Sequence, residues 1–318
     1  MFSLIRKELQ SKLDKEKKSP LQISIMGQTG VGKSSLINAL FNTNLKTNDV
    51  LPTTKSAQKI ECQIGDITIW FYDLPGIGES SDADEQYLEL YREHLVTSDI
   101  VIWAIHADSR SITYDKNSLI HLLDIDESQL KTILLSKITF VLTKADLLSP
   151  PKWIAHLKDE KGVIEPTEEL REKIQRKESY IQNQFLSQFG SMYVAKTYRE
   201  EELDYKILPE SKFKVDKTHI HYNGLVTFQE FQELKTQFPE FTDPLDRLYN
   251  NSKPLVVSSL YKYNLIKLMT ILVSKINGGA IVRLPLVNEN NLYTIDKAKI
   301  LNYQNIRIKV ATSTKGGK

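Results

Sequence analysis

LQISIMGQTGVGKSSLINALF, residues 21–41, is the stretch whose reading decides the fold. LQISIMG is a short run with β-branched residues, too short for a helix, and it stops at Gly27. SSLINALF then resumes helical spacing. Between them, GQTGVGKS (27–34) has the form G-x-x-x-x-G-K-S. Strand, glycine loop and helix form a phosphate cradle, because successive backbone N–H groups and the helix N-terminus converge on phosphate oxygens. Gly27, Gly30, Val31, Gly32, Lys33, Ser34 and Ser35 are the residues expected there. Gly27 and Gly32 let the chain turn closely, Lys33 reaches the β and γ phosphates as a point charge, and the Ser34 hydroxyl ligates Mg²⁺. This much serves ATP and GTP equally.

Further along, KIECQI and ITIWFYDL read as two strands separated by Gly65-Asp66, a hairpin signal. The second ends in DLPG, 73–76. There Asp73 at the strand tip would hold the metal's water shell, and Gly76 would offer its N–H to a γ-phosphate. DIVIWAIHA from Asp99 reads as the next strand, followed by one helical stretch from about Asp115 to Leu135. ITFVLTKAD then carries a strand into Thr143-Lys144-Ala145-Asp146, which speaks to the base. A carboxylate accepts both the N1–H and the N2 amino protons of guanine, and adenine offers neither donor on that edge. Asp146 is therefore the expected guanine reader, with Lys144 along the base plane bracing the phosphate loop.

In order and spacing these pieces resemble the P-loop GTPases of the translation-factor-related class, and within it the Era-like group with the ribosome-binding-GTPase type of domain. The resemblance covers residues 21 to about 148 and resumes near 254–277, where PLVVSSL looks like the strand and loop that close over guanine. It implies that the Ser259 N–H meets guanine O6, with Ser258 supporting the loop. YDLPGIGES, YLELYREHL, DIVIWAIHADSRS and VLTKADLLSP are similar to a bacterial group of such GTPases often found on mobile elements. GQTGVGKSSLINAL and DLPGIG also resemble the interferon-inducible immunity-related GTPases. By the same resemblance a threonine before the hairpin ligates Mg²⁺ and senses the γ-phosphate. VLPTTKSA offers Thr53 and Thr54, and Thr54 is chosen as the one directly before the basic residue. The expected catalytic set is Lys33, Thr54 and Gly76, and the expected metal set is Ser34, Thr54 and Asp73.

Two departures stand out. Ile77 follows DLPG where many small GTPases carry the glutamine that orients the attacking water, and an aliphatic side chain neither donates nor accepts. Slow intrinsic hydrolysis is the expectation, with the water positioned by backbone, by another side chain or by a group supplied in trans, so a nucleotide-dependent homodimer or an activating partner is expected. Gly30 stands where potassium-activated Era-like relatives place an asparagine, which argues against potassium stimulation. Arg110 reads as a solvated surface arginine rather than a catalytic one.

The expected architecture is a three-layer α/β sandwich with a mostly parallel sheet and one antiparallel edge strand, an insert before the last strand and a small C-terminal appendix. Residues 1–19 read as an amphipathic helix docked on its own domain, 20–278 as the GTPase domain with an insert at 190–253, and 279–318 as appendix and tail. The insert's dense aromatic and charged mixture suits a small lid or partner-facing subdomain, and the appendix a βαβ-like or hairpin unit. His219 and His221 in THIHY alternate on one strand face without an obvious third metal ligand. The 42 lysines and arginines nearly balance 40 aspartates and glutamates, so charge names no partner, and nucleic-acid or ribosome contact stays open. Cys62 is the sole cysteine, which suits a reducing, cytoplasmic setting. No run reaches the roughly 20 apolar residues that span a bilayer.

Overall fold

The structure is a computed structural model. It describes residues 20–41, 56–64, 67–78, 81–109, 112–126, 128–148, 153–276, 292–304 and 306–310. The helix expected at 1–19, Thr53 and Thr54, Gly65-Asp66, Arg110 and the last eight residues lie outside the described residues.

The chain runs β1 (Leu21–Gly27), α1 (Lys33–Phe41), β2 (Gln58–Ile64), β3 (Ile67–Asp73), α2 (Ser81–Thr97), β4 (Ile100–His106) and α3 (Thr113–Leu122). It continues through α4 (Ser128–Lys137), β5 (Ile138–Thr143), β6 (Trp153–Lys158), β7 (Lys161–Pro166), α5 (Glu168–Ile181) and β8 (Val194–Tyr198). There follow β9 (Phe213–Val215), β10 (His219–Asn223), α6 (Phe228–Gln237), α7 (Thr242–Asn251), β11 (Leu255–Val256) and α8 (Leu265–Ser274). The chain ends in β12 (Ile295–Asp296), α9 (Lys297–Leu301) and β13 (Ile306–Val310).

Six strands form the central sheet in the order β11-β5-β4-β1-β3-β2, all pairings parallel except that of β2 with β3. The mostly parallel sheet with one antiparallel edge is what the sequence led one to expect. β4 and β5 are near-continuous apolar runs because both faces of the sheet are covered. Ile23, Ile25, Phe71 and Ile102 pack with Leu36 and Ile37 of α1 and Leu268 and Leu272 of α8. Met26, Trp103, Phe140 and Leu142 face the other way, with Tyr91 and Leu95 of α2, Leu119 of α3 and Leu135 of α4. Together these are the three layers.

The helical stretch read as one over 115–135 is two helices. Leu123 closes the first with its N–H on Leu119 O, and the Asp124-Ile125-Asp126 segment carries the chain to α4. The insert forms an antiparallel sheet, β8-β10-β9, packed on α4 and α7. Its buried Phe213, Ile220, Tyr222 and Phe231 belong to the same apolar cluster as Trp103 and Phe140. Thr197 and His219 hydrogen-bond the carbonyls of Ser274 and Lys275, at the end of α8 remote from the phosphate loop. The lid reading is corrected accordingly: the insert braces the opposite end of the sheet.

Residues 279–291 of the expected appendix lie outside the described residues, and its described strands join a sheet with β6 and β7. β12 pairs antiparallel with β7, and β13 pairs parallel with β6, at opposite edges of a four-stranded sheet β12-β7-β6-β13. The β6–β7 hairpin emerges shortly after TKAD, and this second sheet stands beside the loop after β11. Among the described residues no helix is long and apolar enough to cross a membrane.

Candidate functional site

The phosphate loop leaves β1 at Gly27, whose φ of +136° and close approach to β4 require glycine: a Cβ there would lie 2.2 Å from Ala104 O. The Lys33 ammonium, at the first residue of α1, donates to the carbonyls of Gly27 at 3.0 Å and Gln28 at 3.1 Å. Ser34 Oγ donates to Asp73 Oδ2 at 2.5 Å. A hydroxyl and a carboxylate oxygen are therefore side by side at the ends of α1 and β3, and such hard oxygen donors fit Mg²⁺.

The DLPG turn lies on the phosphate loop. A Cβ at Gly76 would meet Thr29 N and Cα at 2.5 Å, so no side chain fits there. Thr29 donates its N–H to Ile77 O at 3.0 Å. The Ile77 side chain is wholly buried in the cluster that holds Leu74, Tyr91 and Trp103. Tyr91 of α2 binds the two loops together: its hydroxyl donates to Pro75 O at 2.7 Å and accepts the Gly27 N–H at 3.1 Å. Burial pushes this phenol well above its ordinary range, so it stays a neutral donor. The sequence reading missed Tyr91, which in YLELYREHL has only the spacing of an apolar helix face.

At the other side, Thr143 Oγ1 lies 2.5 Å from Val31 O, tying the end of β5 to the phosphate loop. Lys144 takes a left-handed φ of +57°. Its stem runs along the loop, since a Cβ on Gly32 would be 3.4 Å from Lys144 Cε. Ala145 N–H donates to Val257 O at 3.1 Å, joining the TKAD turn to the loop after β11. Ser258 Oγ accepts the Tyr261 N–H at 3.0 Å and donates to Asp146 Oδ1 at 2.5 Å. Ser258 is fully buried, and Ser259 follows it half-buried.

The second sheet buttresses this loop. Trp153 packs edge-on against Tyr261 and Tyr263 with ring centroids 5.2 Å apart in each case. Lys262 Nζ donates to Thr294 O at 2.9 Å, and Tyr303 OH to Leu260 O at 3.4 Å. Burial and the nearby Asp146 charge push the Tyr261 hydroxyl up to about 12. From Lys33 round to Ser258, the expected residues that are described thus converge at the C-terminal edge of the parallel sheet, where such folds bind ligands. Thr54 lies outside the described residues.

Remote from that edge, His221 Nε2 is 2.9 Å from Asp216 Oδ2 and His219 Nε2 is 3.1 Å from Lys275 O. Among the described residues no group of three or more His, Cys, Asp or Glu side chains is placed to hold a metal.

Residues 22–144 match the family model described as 50S ribosome-binding GTPase. Over these residues the chain is similar to P-loop GTPase domains. Escherichia coli (strain K12) YkfA is 40% identical over 129 residues, which is 40% of this chain and 42% of that protein. Interferon-gamma-inducible GTPase 10 of Mus musculus is 37% identical over 78 residues, 23% of this chain and 18% of that one. The structure of Aquifex aeolicus Era bound to GDP and AlF4⁻ covers 81% of this chain and 57% of its own, at 16% identity and a TM-score of 0.41. The chain spans less than half the length of the curated relatives it matches. The match ends at Lys144, so the second sheet and the insert lie beyond it.

Proposed function

We propose that this chain binds GTP with Mg²⁺ and hydrolyses it to GDP and phosphate as a nucleotide-dependent switch with slow intrinsic turnover. The observation that carries the reading is the Asp146 carboxylate, aimed by Ser258 beside the Lys144 stem and the phosphate loop. Lys33 and the N–H groups from Gly30 to Ser35 would cradle the phosphates, and Asp146 with the Ser259 N–H would read guanine. Ser34, Asp73 and Thr54 would hold Mg²⁺, which when bound neutralises charge on the β and γ oxygens. Gly76 would present its N–H to the γ-phosphate, and the loops near 44–57 and 76–86 would change order once that group is gone.

The buried Ile77 favours a second reading, a nucleotide-gated assembly protein with little hydrolysis. In either case the partner is a second copy or an activating protein, and a trans arginine of that kind is worth on the order of 10³–10⁵ in rate. We place the protein in the cytoplasm, and ribosome or nucleic-acid contact belongs to the same set of proposals. The test is hydrolysis of GTP and ATP with Mg²⁺ over a range of protein concentrations. GTP-selective turnover supports the switch. Tight GTP binding with flat, negligible turnover supports the assembly reading, and equal use of ATP refutes both.

A further inference from the structure

With Ile77 buried, the residue after DLPG cannot orient a water molecule. A different side chain stands at that place. Gln28, directly after Gly27 in the phosphate loop, donates its Nε2 to Asp115 Oδ2 at 2.5 Å. The other carboxylate oxygen of Asp115 accepts the Trp103 indole N–H at 3.0 Å. Asp115 sits in the first turn of α3, only 1% exposed. Burial raises its carboxyl, and the hydrogen bonds from Trp103 and Gln28 and the Lys33 charge oppose that rise.

This pair has a fixed polarity. The indole is a donor only and occupies Oδ1, and Gln28 Nε2 donates to Oδ2, so the amide of Gln28 is held with its NH₂ on Asp115. Its Oε1 therefore faces away, toward the turn after DLPG, where a Cβ on Gly78 would lie 3.7 Å from it. Among the described residues no hydrogen bond reaches that oxygen. The Gln28 carbonyl meanwhile receives the Lys33 ammonium at 3.1 Å, which puts the residue at the end of the cradle where a terminal phosphate would lie. An aimed carbonyl acceptor beside that phosphate is what a water-orienting glutamine offers.

Building on the GTP hydrolase reading above, we propose that Gln28 is the catalytic residue that orients the attacking water, and that Asp115, held by Trp103, is the positioning residue that fixes its amide. Water adds to the γ-phosphorus as the bond to the β–γ bridging oxygen breaks. The water's hydrogen donates to Gln28 Oε1 during attack, its proton ends on the phosphate product, and Gln28 is unchanged.

The test is single-turnover GTP hydrolysis by the full chain with Mg²⁺, with GTP and GDP affinities measured separately. Gln28→Ala should slow the step on the order of 10²-fold and leave both affinities within about threefold, in the usual range for one positioned acid–base group. In Asp115→Asn the amide accepts from Trp103 and donates to Gln28, turning the glutamine over, so the rate should fall comparably. The double variant should be no slower than the slower single one, because the two act as a unit. A purely structural Asp115 would instead slow Gln28→Ala further. Additive losses, or a Gln28→Ala rate within about threefold of the parent chain, would overturn the proposal alone. Absence of GTP turnover in the parent chain at every concentration would overturn the hydrolase reading, and this proposal with it.

Discussion

Replacing Asp146 with asparagine changes one oxygen for an NH₂, and the structure dictates which one. The Ser258 hydroxyl already accepts the Tyr261 N–H, so its proton is committed to Asp146 Oδ1. In Asp146→Asn that proton keeps the amide oxygen on Ser258 and turns the NH₂ toward the base. Guanine presents two donors to this position, N1–H and the 2-amino group, and the amide oxygen still accepts one of them, so one charge-assisted hydrogen bond is lost and donor faces donor. At about 1.5–3 kcal/mol for the lost bond and about 1–3 kcal/mol for the donors left unpaired, the loss is about 3–6 kcal/mol. That corresponds to on the order of 10²–10⁴ in GTP affinity. Xanthine carries a 2-oxo acceptor there, so xanthosine triphosphate should gain what GTP loses. Isothermal titration with GTP, ATP and xanthosine triphosphate reads all three affinities, and thermal unfolding checks that the Ser258 contact keeps the loop intact. GTP affinity within about threefold of the parent chain would remove Asp146 from the base site and refute the polarity argument.

The remaining expectations concern the cradle, the second sheet and the buried lysine. Lys33→Ala should lose most triphosphate affinity, measured by the same titration, and a variant still binding tightly contradicts the cradle assignment. Trp153→Ala should cost about 3–5 kcal/mol of stability, as large-to-small core changes do, and should speed GDP release by loosening the Tyr261–Tyr263 loop. Stopped-flow release at the parent rate would show that the second sheet does not support the base site. Lys275 is wholly buried with its ammonium on Ile138 O at 2.8 Å, and burial brings it down to about 7 from 10.5. Between those values the unfolded chain binds a proton that the folded chain does not, so stability should rise with pH by up to about 1.4 kcal/mol per unit. Below that window both states are protonated and the burial penalty is complete. Lys275→Met should abolish the slope and raise the melting temperature at neutral pH, and denaturation curves at several pH values with an unchanged slope would contradict this.

The phosphate loop, the hairpin into DLPG and the strand into TKAD were legible because their chemistry is written in contiguous residues. The order of apolar strands and helices likewise led to a mostly parallel sheet. Pairing at long range was not legible. WIAHLK alternates buried and exposed positions as a strand should, yet its hairpin turns at Asp159-Glu160, where Asp159 takes φ +55° without a glycine to signal it. Its parallel partner IRIKV lies about 150 residues away, and nothing local in either run names the other. The roles of Gln28, Tyr91 and Asp115 were hidden for a similar reason. Each acts through a partner far along the chain, Gln28 through a residue 87 positions away and Tyr91 through one 64 positions away. By spacing alone Tyr91 is a core aromatic and Asp115 an ordinary acidic residue at a helix start. The break between α3 and α4 is smaller in kind, since leucines on both sides of Asp124-Ile125-Asp126 keep an apolar period that suggests continuity.

The central claim is a guanine-reading nucleotide site at the C-terminal edge of the sheet, and it is tested most directly by loading the full chain with fluorescently labelled GDP in Mg²⁺ and competing with unlabelled GTP, GDP and ATP. Displacement by GTP and GDP at concentrations at least a hundredfold below those needed for ATP is the predicted result, of the order expected when a site built to accept donors is left without them. Equal displacement by ATP, or no retention of labelled GDP at all, would contradict it.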